Sequence, residues 1–131
     1  MKVLALDYGA ARTGVAISDA TGTLARPLTV VERAASEPGL RRVAELVVAE
    51  GAERIVVGLP LTLKGDHGAQ ADETAHFVAA LRAVVDVPVE SFDERFTTAL
   101  ASSGPSSRSP EDARAAAHLL ESYLTWTSRA E

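Results

Sequence analysis

Two short apolar runs on either side of a glycine-marked turn constrain this chain more than any other feature. Val3-Leu4-Ala5-Leu6 ends in Asp7, the turn Tyr8-Gly9-Ala10-Ala11-Arg12-Thr13-Gly14 follows, and Val15-Ala16-Ile17 leads into Ser18-Asp19. Apolar runs of this length, bounded by breakers, read as paired strands. The carboxylate of Asp7 then stands where the first strand leaves the sheet. An acid held there by a rigid element suits a metal ion or a proton transfer. The same residue would also serve as a turn cap bonded to its own backbone, so the rest of the chain has to decide between the two.

After the turn at Ala20-Thr21-Gly22, Leu24 to Val31 alternates loosely and contains Pro27. Proline cannot donate to a ladder, so this strand belongs at a sheet edge. Three strands joined by short turns make an antiparallel meander. The period then changes: between Pro38 and Glu50, Leu40, Val43, Leu46 and Val47 share one helical face, and Gly51 stops the helix. Arg54 to Leu59 is near-continuously apolar, as expected of a strand buried on both faces. A helix from about Gln70 to Val85 presents Phe77, Val78, Leu81 and Val85 inward, and Val87 to Phe92 forms another strand before Asp93-Glu94. Arg95 to Ala101 reads as a short helix and the Ser-rich stretch 102–109 as a flexible loop. A last helix starts with Ser109 as N-cap and Pro110 at its first position, and runs to about Trp126. Right-handed crossovers make the later strands parallel. The fold class is therefore α/β, with a mixed five-stranded sheet built from the meander plus two parallel strands.

Composition bounds the function. A chain of 131 residues with 47% hydrophobic content is expected to form one domain, residues 1–131, with one core. It has no cysteine, which excludes disulfides, thiolate metal sites and Cys nucleophiles and fits a reducing cytoplasm. The N-terminal apolar run is too short for a signal peptide, and no stretch has the roughly 18 apolar residues of a membrane helix. The formal net charge of −5 argues against tight nonspecific binding to nucleic acid. A phosphate-bearing partner would have to meet a local basic patch or a bound metal.

Three acidic spots remain: Asp7, the pair Asp93-Glu94, and Asp112 in the first turn of the last helix. Parallel strands bring their C-terminal ends to one side of the sheet, where open α/β folds place their sites. Ala115 and Ala116 carry little bulk, so the helix can approach the sheet closely. Like charges gathered this way raise one another's pKa, a cost that divalent cations with oxygen ligands remove. Mg²⁺ or Mn²⁺, as a pair, would suit such a site and clamp a phosphoryl displacement.

The pieces Leu6-Asp7-Tyr8-Gly9-x-x-Arg12-x-Gly14-Val15-Ala16-x-Ser18-Asp19, Val56-Val57-Gly58-Leu59-Pro60, Asp93-Glu94-Arg95-Phe96-Thr97-Thr98 and Asp112-x-x-Ala115-Ala116, with Leu120-x-Ser122-Tyr123-Leu124 beyond it, span almost the whole chain. In this order they resemble the YqgF-type RNase H-like nucleases, a family of candidate Holliday junction resolvases or pre-16S rRNA nucleases. The resemblance implies an RNase H fold and metal-dependent hydrolysis of phosphodiesters. It also implies maturation of the 5′ end of 16S rRNA, with structured RNA, branched DNA or ribosomal precursor particles as partners. Catalytic roles carry over to Asp7, to Asp93 or Glu94, and to Asp112; within the pair Glu94 is preferred, so that Asp7, Glu94 and Asp112 would be the metal ligands.

One departure from the family concerns the segment between the Thr97-Thr98 pair and Asp112. Family members carry a longer, Lys- and Arg-rich stretch there, whereas this chain has Ser-rich residues with only Arg108. Phosphate contacts come chiefly from Lys and Arg. Arg12 and Arg95 are candidates to hold phosphate, or to pair with the neighbouring carboxylates. Thr97 and Thr98 either bond phosphate or cap a helix. His67, His76 and His118 lack ligand spacing, and Tyr123 and Trp126 fall at a helical spacing that favours packing over base stacking. Two rival readings are an ATPase of the actin and sugar-kinase type, and a non-catalytic nucleic-acid- or protein-binding module.

Overall fold

The computed structural model describes residues 1–9, 11–59, 69–93 and 111–130, with the side chains at 59, 69–71, 93, 111–112 and 128–130 excepted. In chain order the elements are β1 (Val3–Asp7), β2 (Arg12–Ser18), β3 (Ala25–Glu32), α1 (Glu37–Glu50), β4 (Arg54–Leu59), α2 (Ala69–Arg82), β5 (Val89–Asp93) and α3 (Glu111–Ala130). The strands form one mixed sheet in the order β3-β2-β1-β4-β5. The first three pair as an antiparallel meander, and β4 is parallel to both β1 and β5. This is the sheet expected from the period change after β3.

Because β1 has a strand on each side and helices above and below, it reads as an unbroken apolar run and its residues Val3 to Leu6 are all buried. Alternation splits it between two cores. Leu4 and Leu6 join Ile55 and Val57 of β4, Val43, Leu46 and Val47 of α1, and Phe77, Val78 and Leu81 of α2. Val3 and Ala5 join Ala16, Val56 and Phe92 beneath Ala116, Ala117, Leu119, Leu120 and Tyr123 of α3. Two helices thus cover one face and α3 the other. The α3 side is lined by small residues (Ala5, Ala16, Ala116, Ala117), so helix and sheet approach closely.

The boundaries follow local chemistry. Ser36 caps α1 by accepting from the Gly39 amide at 3.2 Å, and Pro38 lies in the first turn, where a missing N–H does no harm. Gly51 ends the helix in the left-handed region at φ 69°, with the Ala52 amide donating back to Val47. Leu24 stays outside β3 because the Asp19 carboxylate holds the Thr23 and Leu24 amides at 2.8 and 3.2 Å in a turn. These bonds also keep the Asp19 carboxyl below its usual range. Pro27 sits on the edge strand opposite Ala16, beside a register shift, as its missing donor requires. Helix α2 stops at Arg82, three residues before the expected Val85, because the chain turns there through Val84 N–H···O=C of Leu81. The Arg82 guanidinium then bonds the Val89 carbonyl at 2.8 Å, tying the turn to the start of β5. Helix α3 continues past the expected Trp126 to Ala130. The expected short helix at 95–101, the Ser-rich segment 102–109 and the Ser109-Pro110 start lie outside the described residues.

Candidate active site

Asp7 is the last residue of the central strand and has the parity of Val3 and Ala5, so it belongs to the face covered by α3. On β4 the corresponding parity runs through Val56 to Gly58, which lies level with Phe92 of β5. Glycine has no side chain, so on this face β4 places none between the ends of β1 and β5. Asp93 ends β5 at the same edge of the sheet, paired with Leu59. With β4 between them, Asp7 and Asp93 are separated by two strand spacings, about 10 Å. Asp112 is the second residue of α3, the helix packed on that face. Glu94, Arg95, Thr97, Thr98 and Arg108 lie outside the described residues.

The turn after Asp7 is tightly made. The Thr13 hydroxyl lies 3.4 Å from both the amide and the carbonyl of Gly9, closing the loop across the strands. A Cβ on Gly9 would come within 2.5 Å of the Arg12 carbonyl oxygen, so only glycine fits. Tyr8 takes the opposite parity from Asp7 and stacks on Phe77 of α2 with ring centroids 4.5 Å apart. Burial, reinforced by the nearby Glu73 carboxylate, raises the Tyr8 pKa, so its hydroxyl stays protonated at neutral pH. Asp7 thus stands on a strand end held by a hydroxyl latch on one side and a ring stack on the other.

The neighbouring rim is set by the β3–α1 turn. The Arg33 amide donates to Ala11 at 3.0 Å, joining this turn to the one that follows Asp7. Arg33 has φ 47°, a left-handed backbone in a residue with a Cβ. Its carbonyl accepts from the Ser36 hydroxyl at 2.6 Å and abuts Gly39, where an added Cβ would come within 2.1 Å of it. Sequence reasoning missed Arg33, Ser36 and Gly39. The available signal was Gly39 itself, since glycine in a first helical turn marks a close backbone approach. No spacing announces a left-handed arginine.

Other candidates resolve into structure. Arg12 begins β2 and is exposed, with its register partner Glu32 on β3. Asp19 is occupied in its own turn, and Ser18 holds the Val3 amide at 2.8 Å, so the end of the first motif fixes the start of β1. Tyr123 is buried; its hydroxyl donates to Glu90 at 2.6 Å and accepts from Arg54 at 3.0 Å. Trp126 leans on Phe92 at 5.8 Å yet remains 51% exposed. His76 is exposed and His118 faces Glu121 at 3.4 Å. Among the described residues, no three His, Cys, Asp or Glu side chains cluster as metal ligands. The acids proposed for that role include Glu94 and the side chain of Asp112, which lie outside that set.

A mixed sheet in this strand order, with a carboxylate ending its central strand, is an RNase H-like fold. RuvC of Thermus thermophilus, solved in complex with a Holliday junction substrate, superposes with a TM-score of 0.63 at 17% identity, covering 99% of this chain and 96% of that one. The sequence model of the RuvX family, described as Holliday junction resolvase, matches residues 1–126. A relative from Chloroflexus aggregans, named as a candidate pre-16S rRNA nuclease, is 48% identical over 99 residues, covering 76% of this chain and 70% of its own. Another so named, from Rubrobacter xylanophilus, is 44% identical over 131 residues, covering 94% and 91%. The chain is thus an RNase H-like nuclease, a hydrolase of phosphodiester bonds. It belongs to the RuvX family.

Proposed function

We propose that this chain is a metal-dependent nuclease that trims the 5′ end of pre-16S rRNA. The observation that carries the reading is Asp7, fixed at the end of the central strand beside the side-chain-free Gly58 and on the face covered by α3. Asp7, Glu94 and Asp112 are the proposed ligands, and Asp93 is the alternative within its pair. Two features support the set. Positions 90 and 92 of β5 serve the α3 face, through the Tyr123 bond and the Phe92 packing; position 93 has the other parity, which counts against Asp93. Tyr123 is bonded to Arg54 and Glu90, where β4 and β5 begin, and Asp112 lies eleven residues earlier on the helix. That is about 16 Å at 1.5 Å per residue. The rise from Val3 to Asp7 is about 13 Å, so a helix running back along the strands brings its first turn level with Asp7.

The donor set is all carboxylate in a chain without cysteine, which suits hard cations such as Mg²⁺ or Mn²⁺. When bound, such ions lower the pKa of an attacking water and neutralise charge on the phosphate. The chain's own task is to hold the carboxylates fixed and to orient the phosphodiester. Asp7 is positioned by its strand, the Thr13 latch and the Tyr8 stack. Arg12 and Arg95 bond phosphate oxygens, with Thr97, Thr98 and Arg108 as further contacts. We read residues 1–131 as one nuclease domain. No helix among the described residues is long and apolar enough to cross a membrane; ribosomal precursor particles in the cytoplasm are the proposed setting.

The family description favours a second reading, resolution of branched DNA. A cleavage assay separates the two. The full chain with Mg²⁺ or Mn²⁺ is offered a 5′-extended 16S precursor and a four-way DNA junction, each against a chelator control. The rRNA reading expects metal-dependent shortening of the precursor, whereas paired nicks in the junction alone would replace it with the resolvase reading. No cleavage of either overturns both.

A further inference from the structure

We infer that Arg33, held by the β3–α1 turn, is a phosphate-binding residue on the path of the nucleic-acid substrate. The inference rests on the nuclease reading above and adds a contact that the acidic site does not include.

Three independent observations meet at this residue. The first is its backbone. Arg33 has φ 47°, a region that costs any residue with a Cβ and that glycine or asparagine enters more readily. The fold nevertheless keeps an arginine there, pinned by the Ala11 carbonyl on its amide and by Ser36 and Gly39 on its carbonyl. The second is the side chain. Every other arginine or lysine among the described residues whose side chain is also described has a partner: Lys2 the Glu50 carbonyl, Arg26 Glu50, Arg41 Glu37, Arg42 Glu45, Arg54 Tyr123 and Glu90, and Arg82 the Val89 carbonyl, while Arg12 and Arg114 are engaged as well. The Arg33 guanidinium alone among them is uncommitted, and the residue is exposed. On a chain of net charge −5, an arginine without an acidic partner is conspicuous.

The third observation is place. Gly14 of β2 pairs with Asp7 on one side and Val30 on the other, and Arg33 lies three residues beyond Val30. It therefore stands about 10 Å outward from Asp7 and about 10 Å across, at the edge where β1 ends. The Arg33–Ala11 bond makes the two turns one rim. A phosphodiester held at Asp7 puts a phosphate a few nucleotides away within reach of this guanidinium, which has the fork geometry that phosphate oxygens match. Its contribution is to binding and register, independent of base identity.

The test measures binding without cleavage, using the full chain in chelator. A labelled 5′-extended 16S precursor and a labelled four-way DNA junction are titrated over a salt series against wild type, Arg33→Gly and Arg33→Lys. For the nucleic acid that the wild type binds, Arg33→Gly should weaken affinity about five- to tenfold at low salt. It should also flatten the log–log salt slope by roughly 0.7–0.9, the value of one lost phosphate contact. Arg33→Lys should restore most of that slope. The melting temperature of Arg33→Gly should be unchanged or higher, since glycine relieves the left-handed backbone. Wild-type affinity and slope in Arg33→Gly would overturn the inference and leave the nuclease reading standing. A melting loss in Arg33→Gly, with equal weakening in Arg33→Lys, would also overturn it in favour of a purely structural turn. A wild type that binds neither nucleic acid in chelator would overturn this inference, while the nuclease reading stands or falls on the cleavage assay above.

Discussion

Replacing Gly9 with alanine perturbs the site without touching a carboxylate. The added Cβ would lie 2.5 Å from the Arg12 carbonyl oxygen, a backbone atom that cannot swing aside. Ordinary C···O contacts are no closer than about 3.3 Å, so residues 9 and 12 must separate by roughly 0.8 Å. The Thr13 hydroxyl, already at 3.4 Å from both Gly9 backbone groups, then loses its latch. Forced shifts of this kind in packed regions cost about 1–3 kcal/mol. Asp7 is two residues upstream on the strand end that has to yield. Misplacing a catalytic group by about 1 Å can lower a rate by about a hundredfold. Gly9→Ala is therefore expected to cut the single-turnover cleavage rate by ten- to a hundredfold while melting only modestly earlier. Thermal melts and a single-turnover time course at saturating metal make the comparison. A variant with wild-type rate and melting temperature would refute the claim that this turn positions Asp7.

The remaining predictions concern parts with separate roles. Tyr123→Phe removes the hydroxyl joining Arg54 and Glu90 and should destabilise by about 1 kcal/mol, since both partners are partly exposed and regain water. Burial, then the Glu90 carboxylate, raises the Tyr123 pKa above 10, so its contribution is complete below pH 10 and fades above it; the gap between wild type and variant, followed by denaturant melts, should narrow in alkali. Asp112→Asn should leave stability level or raise it in chelator, gain less from Mg²⁺ than wild type does, and lower cleavage by orders of magnitude, as melts with and without metal beside one cleavage assay would reveal. Gly51→Ala meets nothing within 4 Å, so calorimetry should find only the left-handed backbone cost of about 1 kcal/mol and cleavage should be unchanged.

The reach of the sequence depended on the length scale of the signal. The meander, the buried strand Arg54–Leu59 and the stop at Gly51 were legible because each follows from periodicity or from one residue's backbone preference. Asp7 was legible as a strand end for the same reason. Which face it serves was not, because parity acquires meaning only once α1 and α2 are seen on one side and α3 on the other. That Gly58 leaves β4 without a side chain on Asp7's face depends on the same knowledge. Element ends were misjudged where side chains compete with ladders or helices: Asp19 claims the Leu24 amide, and Arg82 pulls the turn toward Val89. The left-handed Arg33 arises from Ala11, Ser36 and Gly39 acting together, and no local pattern encodes that convergence.

The family likeness extends over residues 1–126, but the assignment of chemistry rests on Asp7 and the acids proposed to join it. The most direct test replaces Asp7 with Asn, which keeps the strand end and removes one charged ligand. Wild type and variant, matched by melting curve, are assayed for single-turnover cleavage of 5′-extended 16S precursor and four-way junction in Mg²⁺, in Mn²⁺ and in chelator. The expected result is metal-dependent cleavage by the wild type and a loss of at least about a thousandfold in Asp7→Asn. Cleavage that survives in chelator, or an Asp7→Asn variant as active as wild type, would contradict it.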